Sequence, residues 1–77
     1  MNQNYCVSII LPAYNEESQL EACVLETLNS TKKLNIQFEI IIVENGSTDL
    51  TYQIGQKISG SYSEVKIFHL DTPSFGA

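Results

Sequence analysis

The chain has 77 residues, 43% hydrophobic and 17% charged, with nine acidic against four basic side chains and a net charge of −5. This length gives at most one small domain, which buries only about 60% of the surface its unfolded form exposes. The acidic balance argues against a nucleic-acid backbone or an anionic lipid surface as main partner, and the ordinary globular composition argues against disorder.

The first predicted element is a strand over Tyr5 to Leu11, set by β-branched content and stopped at Pro12, which cannot donate to a central ladder. From about Glu16 to Lys32, Leu20, Cys23, Val24 and Leu28 recur at helical spacing. Asn15 is the expected N-cap, with Glu16 and Glu17 in the first turn, where the helix dipole favours acids. After a polar link over 32–37, Phe38 to Val43 is an almost unbroken apolar run, as in a strand buried on both faces and central in its sheet. Glu44 to Ser47 forms a loop containing a glycine. Ser47 or Thr48 then caps a second helix running to about Ser59, with Asp49 in its first turn, Leu50, Ile54 and Ile58 as its stripe and Gly60 as its stop. Val65 to Leu70 is the third strand.

Cys6, in the first strand, and Cys23, on the apolar face of the first helix, have neither metal-ligand nor redox spacing and read as buried, reduced thiols. The longest apolar stretches, Ile9 to Leu11 and Ile40 to Val43, fall far short of the roughly 20 residues of a membrane span. With no charged-then-apolar signal segment ahead of them, the expectation is a cytoplasmic protein.

The order β-α-β-α-β with right-handed crossovers moving one way across a parallel sheet puts both helices on one face. Strand two turns Phe38, Ile40 and Ile42 to one side and Ile41 and Val43 to the other, so the opposite face carries an apolar patch that further structure must cover. Residues 1–77 are therefore expected to be an incomplete domain, with the bare face open to an oligomer contact or a partner chain.

In a parallel sheet the three strand ends, at Pro12-Ala13-Tyr14-Asn15-Glu16, Glu44-Asn45-Gly46-Ser47 and Asp71-Thr72-Pro73-Ser74, share one edge, where open α/β folds bind their ligands. Neither of the first two loops carries a glycine-rich phosphate cradle, and two carboxylates at the start of the first helix would repel a phosphate. Carboxylate and amide side chains instead suit the N–H edge of a nucleobase or ribose hydroxyls, with the Tyr14 ring against the base. A diphosphate would then require a divalent cation on further oxygen ligands.

The strings SIILPAYNEE and EIIIVENGSTD, each straddling a strand and a helix start about thirty residues apart, resemble the opening of a family 2 glycosyltransferase with the GT-A fold, a group that includes dolichyl-phosphate mannosyltransferases. The resemblance implies the nucleotide-binding part of a Rossmann-like domain, with Pro12, Tyr14 and Glu16 lining the nucleotide pocket and Glu44-Asn45 standing where the family more commonly has two aspartates or Asn-Asp, the second member touching the base. It further implies a nucleoside diphosphate sugar of the UDP or GDP type, an inverting transfer to a lipid phosphate or polysaccharide acceptor, and magnesium or manganese in the complete enzyme. The family's DxD metal motif and catalytic base fall beyond Ala77, so neither metal ligand nor catalytic residue is expected within the chain. Any association with the inner membrane surface would rest on those downstream parts. The third loop, Thr72 to Ala77, lacks the basic residue often found there in the family.

Plainer roles compete at several positions. Glu16 and Glu17 suit a helix start as surface acids, Tyr14 suits loop packing, and Asp71 suits a turn. His69, without a second His, Cys or suitably spaced acid, reads as structural. Two other functions fit acids at strand ends: a receiver-like or flavodoxin-like signalling domain, which the Pro12-Ala13-Tyr14 ending of strand one contradicts, and a truncated remnant acting only through a partner chain.

Overall fold

The computed structural model describes residues 6–70. Five elements follow one another as β1 (Val7–Ala13), α1 (Leu20–Lys32), β2 (Phe38–Asn45), α2 (Thr51–Ser61) and β3 (Val65–Leu70). The strands form one parallel sheet in the order β1-β2-β3, with Ile9 opposite Ile40 and Ile42 opposite Ile67. This is the expected α/β arrangement, with β2 in the centre.

One apolar cluster holds the layers together. Leu20, Val24 and Leu28, four residues apart on α1, and Ile58 of α2 close over Ala13, Ile40, Ile42 and Val65. Ile40, Ile42 and Val24 have no exposed surface, and each such burial is worth about 1.5–3 kcal/mol relative to exposure. Gly55 lets α2 lie close on β3, since a Cβ there would stand 2.5 Å from Ile67 Cδ1.

The other face of the sheet carries no helix among the described residues. Near the strand ends it is apolar, with Ile10 54%, Phe68 55% and Leu70 43% exposed. Towards the strand starts it is polar: the Ser8 hydroxyl donates to Glu39 at 2.6 Å, and Lys66 Nζ lies 3.4 Å from the same carboxylate.

Several boundaries differ from the sequence reading. Tyr5 lies outside the described residues, and β1 runs through Pro12 to Ala13. Pro12 is tolerated because β1 borders the described sheet and Val7 N–H donates towards β2, to Gln37 O at 3.0 Å. Alternation turns residues 9, 11 and 13 the same way and leaves the Pro12 nitrogen facing away from β2.

The first helix starts at Leu20, so Glu16 and Glu17 precede it. Asn15 is not its N-cap: its φ of 52° is left-handed, whereas an N-cap residue has extended dihedrals. The second helix starts at Thr51 after Leu50, with no side-chain cap bond from Ser47 or Thr48, and it continues through Gly60 to Ser61. Asp49 therefore precedes the helix. Leu50 is 55% exposed, because the inward positions of α2 are Thr51, Gly55 and Ile58.

Both cysteines are exposed, contrary to expectation. Cys6 precedes β1, and Cys23 lies one position off the buried row in which Val24 takes the inward place. No described helix is long and apolar enough to cross a membrane.

Candidate functional site at the carboxyl edge of the sheet

The parallel sheet delivers residues 14–19 and 46–50 to the same edge, and the two loops are bonded to one another. Three successive amides of the first loop donate into the second segment: Asn15 N–H to Ser47 Oγ at 3.0 Å, Glu16 N–H to Thr51 Oγ1 at 2.7 Å and Glu17 N–H to Asp49 Oδ2 at 3.2 Å. The second loop answers, with Thr48 N–H donating to Asn15 Oδ1 at 2.8 Å and Leu50 N–H to Glu17 Oε1 at 3.0 Å. These bonds accompany the later start of α1: the amides of Asn15 to Glu17 and the side chains of Asn15 and Glu17 serve the neighbouring loop.

Related bonds engage the amides that lead into α2. The first amides of a helix are an anion site only while they lack partners. Here Thr48, Leu50 and Thr51 donate to Asn15, Glu17 and Asp49 respectively, the last at 2.9 Å. A hydrogen bond from the Thr51 hydroxyl holds the Asp49 carboxyl below its ordinary range; burial opposes this, and the N–H groups of Thr51 and Glu17 reinforce it. The chain's own acceptors thus occupy the amides of Thr48, Leu50 and Thr51 at the approach to α2.

Glu44 and Asn45 end the central strand, and neither has exposed surface. Glu44 turns towards the helix-covered face. Its Oε2 accepts Ser47 N–H at 2.5 Å and closes a turn in which Gly46 takes a φ of 73°, a left-handed conformation that favours glycine. Its Oε1 meets Nδ1 of His69, the residue opposite it on β3. Burial pushes the Glu44 carboxyl up, but hydrogen bonds from the Ser47 hydroxyl, His69 and the Ser47 N–H, with the charge of His69, carry it below its ordinary range. An ionised carboxylate can only accept, so Nδ1 donates. The His69 ring also lies against Tyr52 of α2, centroids 4.8 Å apart. His69 thus has the acid partner that a scan along the sequence did not show.

Of the residues singled out from sequence, Pro12, Tyr14 and Glu16 are exposed, Tyr14 by 48%. The Asn15 bonds bring their loop against Ser47 and Thr48, just past Asn45. Glu44 stands apart, its carboxylate turned inward. Asp71 and the third loop, Thr72 to Ala77, lie outside the described residues. Among the described residues, no group of three or more His, Cys, Asp or Glu side chains comes together to hold a metal ion.

Sequence reasoning passed over Asn15, Glu17, Asp49 and Thr51 as the joint between the loops. The available signal was the repeated placement of short polar side chains just beyond each strand, the residue types that bond to nearby backbone in place of helix.

Residues 8–77 match the family model described as glycosyl transferase family 2. The chain belongs to that family. A curated undecaprenyl-phosphate 4-deoxy-4-formamido-L-arabinose transferase of Pseudomonas fluorescens (strain Pf0-1) is 40% identical over 50 residues, 65% of this chain and 15% of the relative. Glycosyltransferase AglE of Haloferax volcanii is 34% identical over 61 residues, 79% of the chain and 20% of the relative. A cholesterol galactosyltransferase of Borreliella burgdorferi is 36% identical over 64 residues, 83% of the chain and 17% of the relative. The chain thus spans a fifth or less of the length of these curated relatives. Membership in family 2 agrees with the resemblance read from the two strand-loop strings.

Proposed function

We propose that the carboxyl edge of the sheet binds the nucleoside of a nucleoside diphosphate sugar, as the donor-binding part of an inverting glycosyltransferase. The observation that carries this reading is the joining of the two strand-end loops through Asn15, Ser47 and Thr48. Tyr14 and Glu16, both exposed, flank Asn15 in the loop that this joint holds against the segment following Asn45. A ring for the base and oxygen acceptors for ribose hydroxyls or base N–H groups are the chemistry a nucleoside needs. Pro12, exposed at the end of β1, completes the floor, and Glu44 acts by holding the turn that follows it.

The internally bonded amides of Thr48, Leu50 and Thr51 favour a site that reads the nucleoside and leaves the diphosphate to groups outside the described residues. In the whole protein we assign that task to magnesium or manganese, which would neutralise the departing diphosphate. The acceptor we propose is a lipid phosphate or a polysaccharide, at the cytoplasmic side of a membrane. Support for the first comes from the undecaprenyl-phosphate transferases among the relatives.

The test is titration of the 77-residue chain with UDP and GDP at millimolar concentration, without metal, followed by saturation-transfer and amide-shift NMR. Shifts confined to residues 12–16 and 44–48 are expected, and Tyr14→Ala should weaken them. Absence of contact with every nucleoside diphosphate would remove the assignment.

A further inference from the structure

We propose that His69 is a positioning residue for the turn from Asn45 to Ser47, acting through Glu44. The use made of that turn rests on the nucleoside reading above, but the coupling of His69 to it stands on geometry alone.

The path is short and continuous. His69 lies directly opposite Glu44 in the parallel ladder of β2 and β3. Its Nδ1 donates to one oxygen of a carboxylate whose other oxygen accepts Ser47 N–H. Glu44 is the residue just before Asn45, and Gly46 between Asn45 and Ser47 holds a positive φ. The position of the carboxylate therefore fixes the direction in which the chain leaves β2. Glu44 has no exposed surface, so no bulk solvent reaches it to replace a lost donor.

The His69 side chain, in contrast, is 39% exposed, so the solvent proton reaches one end of a path whose other end is buried. The imidazole meets Glu44 from β2 and Tyr52 from α2. On its own strand, Lys66 is engaged with Glu39 towards the start of the bare face. With Glu44 ionised, the bond from Nδ1 is charge-assisted in either state of the imidazole, and a protonated ring adds the attraction of its own positive charge. The turn is accordingly held most firmly at pH values where His69 is charged and Glu44 ionised, and it loosens as pH rises through the imidazole titration.

Two substitutions separate position from packing. His69→Phe keeps a ring against Tyr52 and a side chain suited to a strand but removes the donor; His69→Asn keeps an N–H donor near the place of Nδ1 and removes the titration. In the parent chain the Ser47 amide shift should follow pH with the midpoint of the His69 imidazole. His69→Phe should abolish that inflection and weaken UDP or GDP binding about five- to tenfold. His69→Asn should recover most of the affinity and show no inflection.

A Ser47 amide that ignores the imidazole titration overturns the proposal whether or not a nucleotide binds. Parental affinity in a folded His69→Phe variant overturns it as well. If Ser47 follows His69 while the parent contacts no nucleoside diphosphate, the positioning of the turn is upheld and the nucleoside reading is what fails.

Discussion

Asn15 and Thr48 are joined across the two strand-end loops: Oδ1 of Asn15 accepts the Thr48 N–H at 2.8 Å and its hydroxyl at 3.3 Å. Asn15 holds a φ of 52°, a conformation asparagine tolerates better than most residues because its short polar side chain can bond locally. One residue thus supplies both the bend after β1 and the bond that aligns the second loop.

Replacing it separates those two roles. Asn15→Ala loses the acceptor and strains the backbone, and should destabilise the chain by about 1–2 kcal/mol. Asn15→Gly loses only the acceptor and should cost less. Urea unfolding measures both, and an alanine variant as stable as the glycine one would show that the left-handed bend carries no strain.

Thr51 is fully buried, and its hydroxyl accepts the Glu16 N–H at 2.7 Å while donating to Asp49. Thr51→Val preserves shape but leaves a partly buried amide without an acceptor. It should destabilise by about 1–3 kcal/mol and raise hydrogen exchange at Glu16. Thr51→Ser, which retains the hydroxyl, should keep the amide protected.

Glu44 and Asp49 both have carboxyls held below their ordinary range in the fold. Each contributes stability that is present above its unfolded pKa, about 4, and is lost as pH falls through its lower folded value. Melting temperature should therefore fall steeply on acidification below about pH 4. Glu44→Gln should be less stable at neutral pH yet show a shallower fall, because it has no proton to take up. An unchanged slope would mean that Glu44 is not ionised in the fold.

The helical glycines Gly55 and Gly60 differ in their surroundings. A Cβ at Gly60 would meet nothing within 4 Å, so Gly60→Ala should stabilise α2 by about 0.5–1 kcal/mol. At Gly55 the same gain is opposed by a contact of 2.5 Å with the tip of Ile67, and Gly55→Ala alone should fall below Gly60→Ala. In an Ile67→Val background, which removes that tip but keeps a γ carbon 3.3 Å from the new Cβ, Gly55→Ala should recover part of the difference. A thermal-melt double-mutant cycle reads this coupling directly.

Much of the fold was legible because apolar spacing follows geometry. The helical spacing of Leu20, Val24 and Leu28 and the apolar run from Phe38 to Val43 gave α1 and the central strand, and Val65–Leu70 matched to the residue. The helix starts were not legible. Asn15, Ser47 and Thr48 have the types that cap helices, and only the parallel register shows that they bond to each other's loop. Local propensity cannot distinguish those outcomes, since the competing partner lies 32 or 33 residues away. Pro12 misled for a related reason: its effect depends on which way its nitrogen faces, a property of strand order. The family was visible in the two strings, and so was the meeting of their loops at one edge, whereas the inward turn of Glu44 required knowing that His69 stands opposite it.

The reciprocal bonds between the loops have a consequence for timing. An amide from each loop is satisfied by a side chain of the other, so neither can fray without exposing donors in both, and the pair should open as one cooperative unit. The order that any guest at this edge requires is then set when the chain folds, before the guest arrives. Entropy that a mobile site would surrender on each encounter has already been relinquished, and binding there should proceed without a preceding rearrangement of the loops.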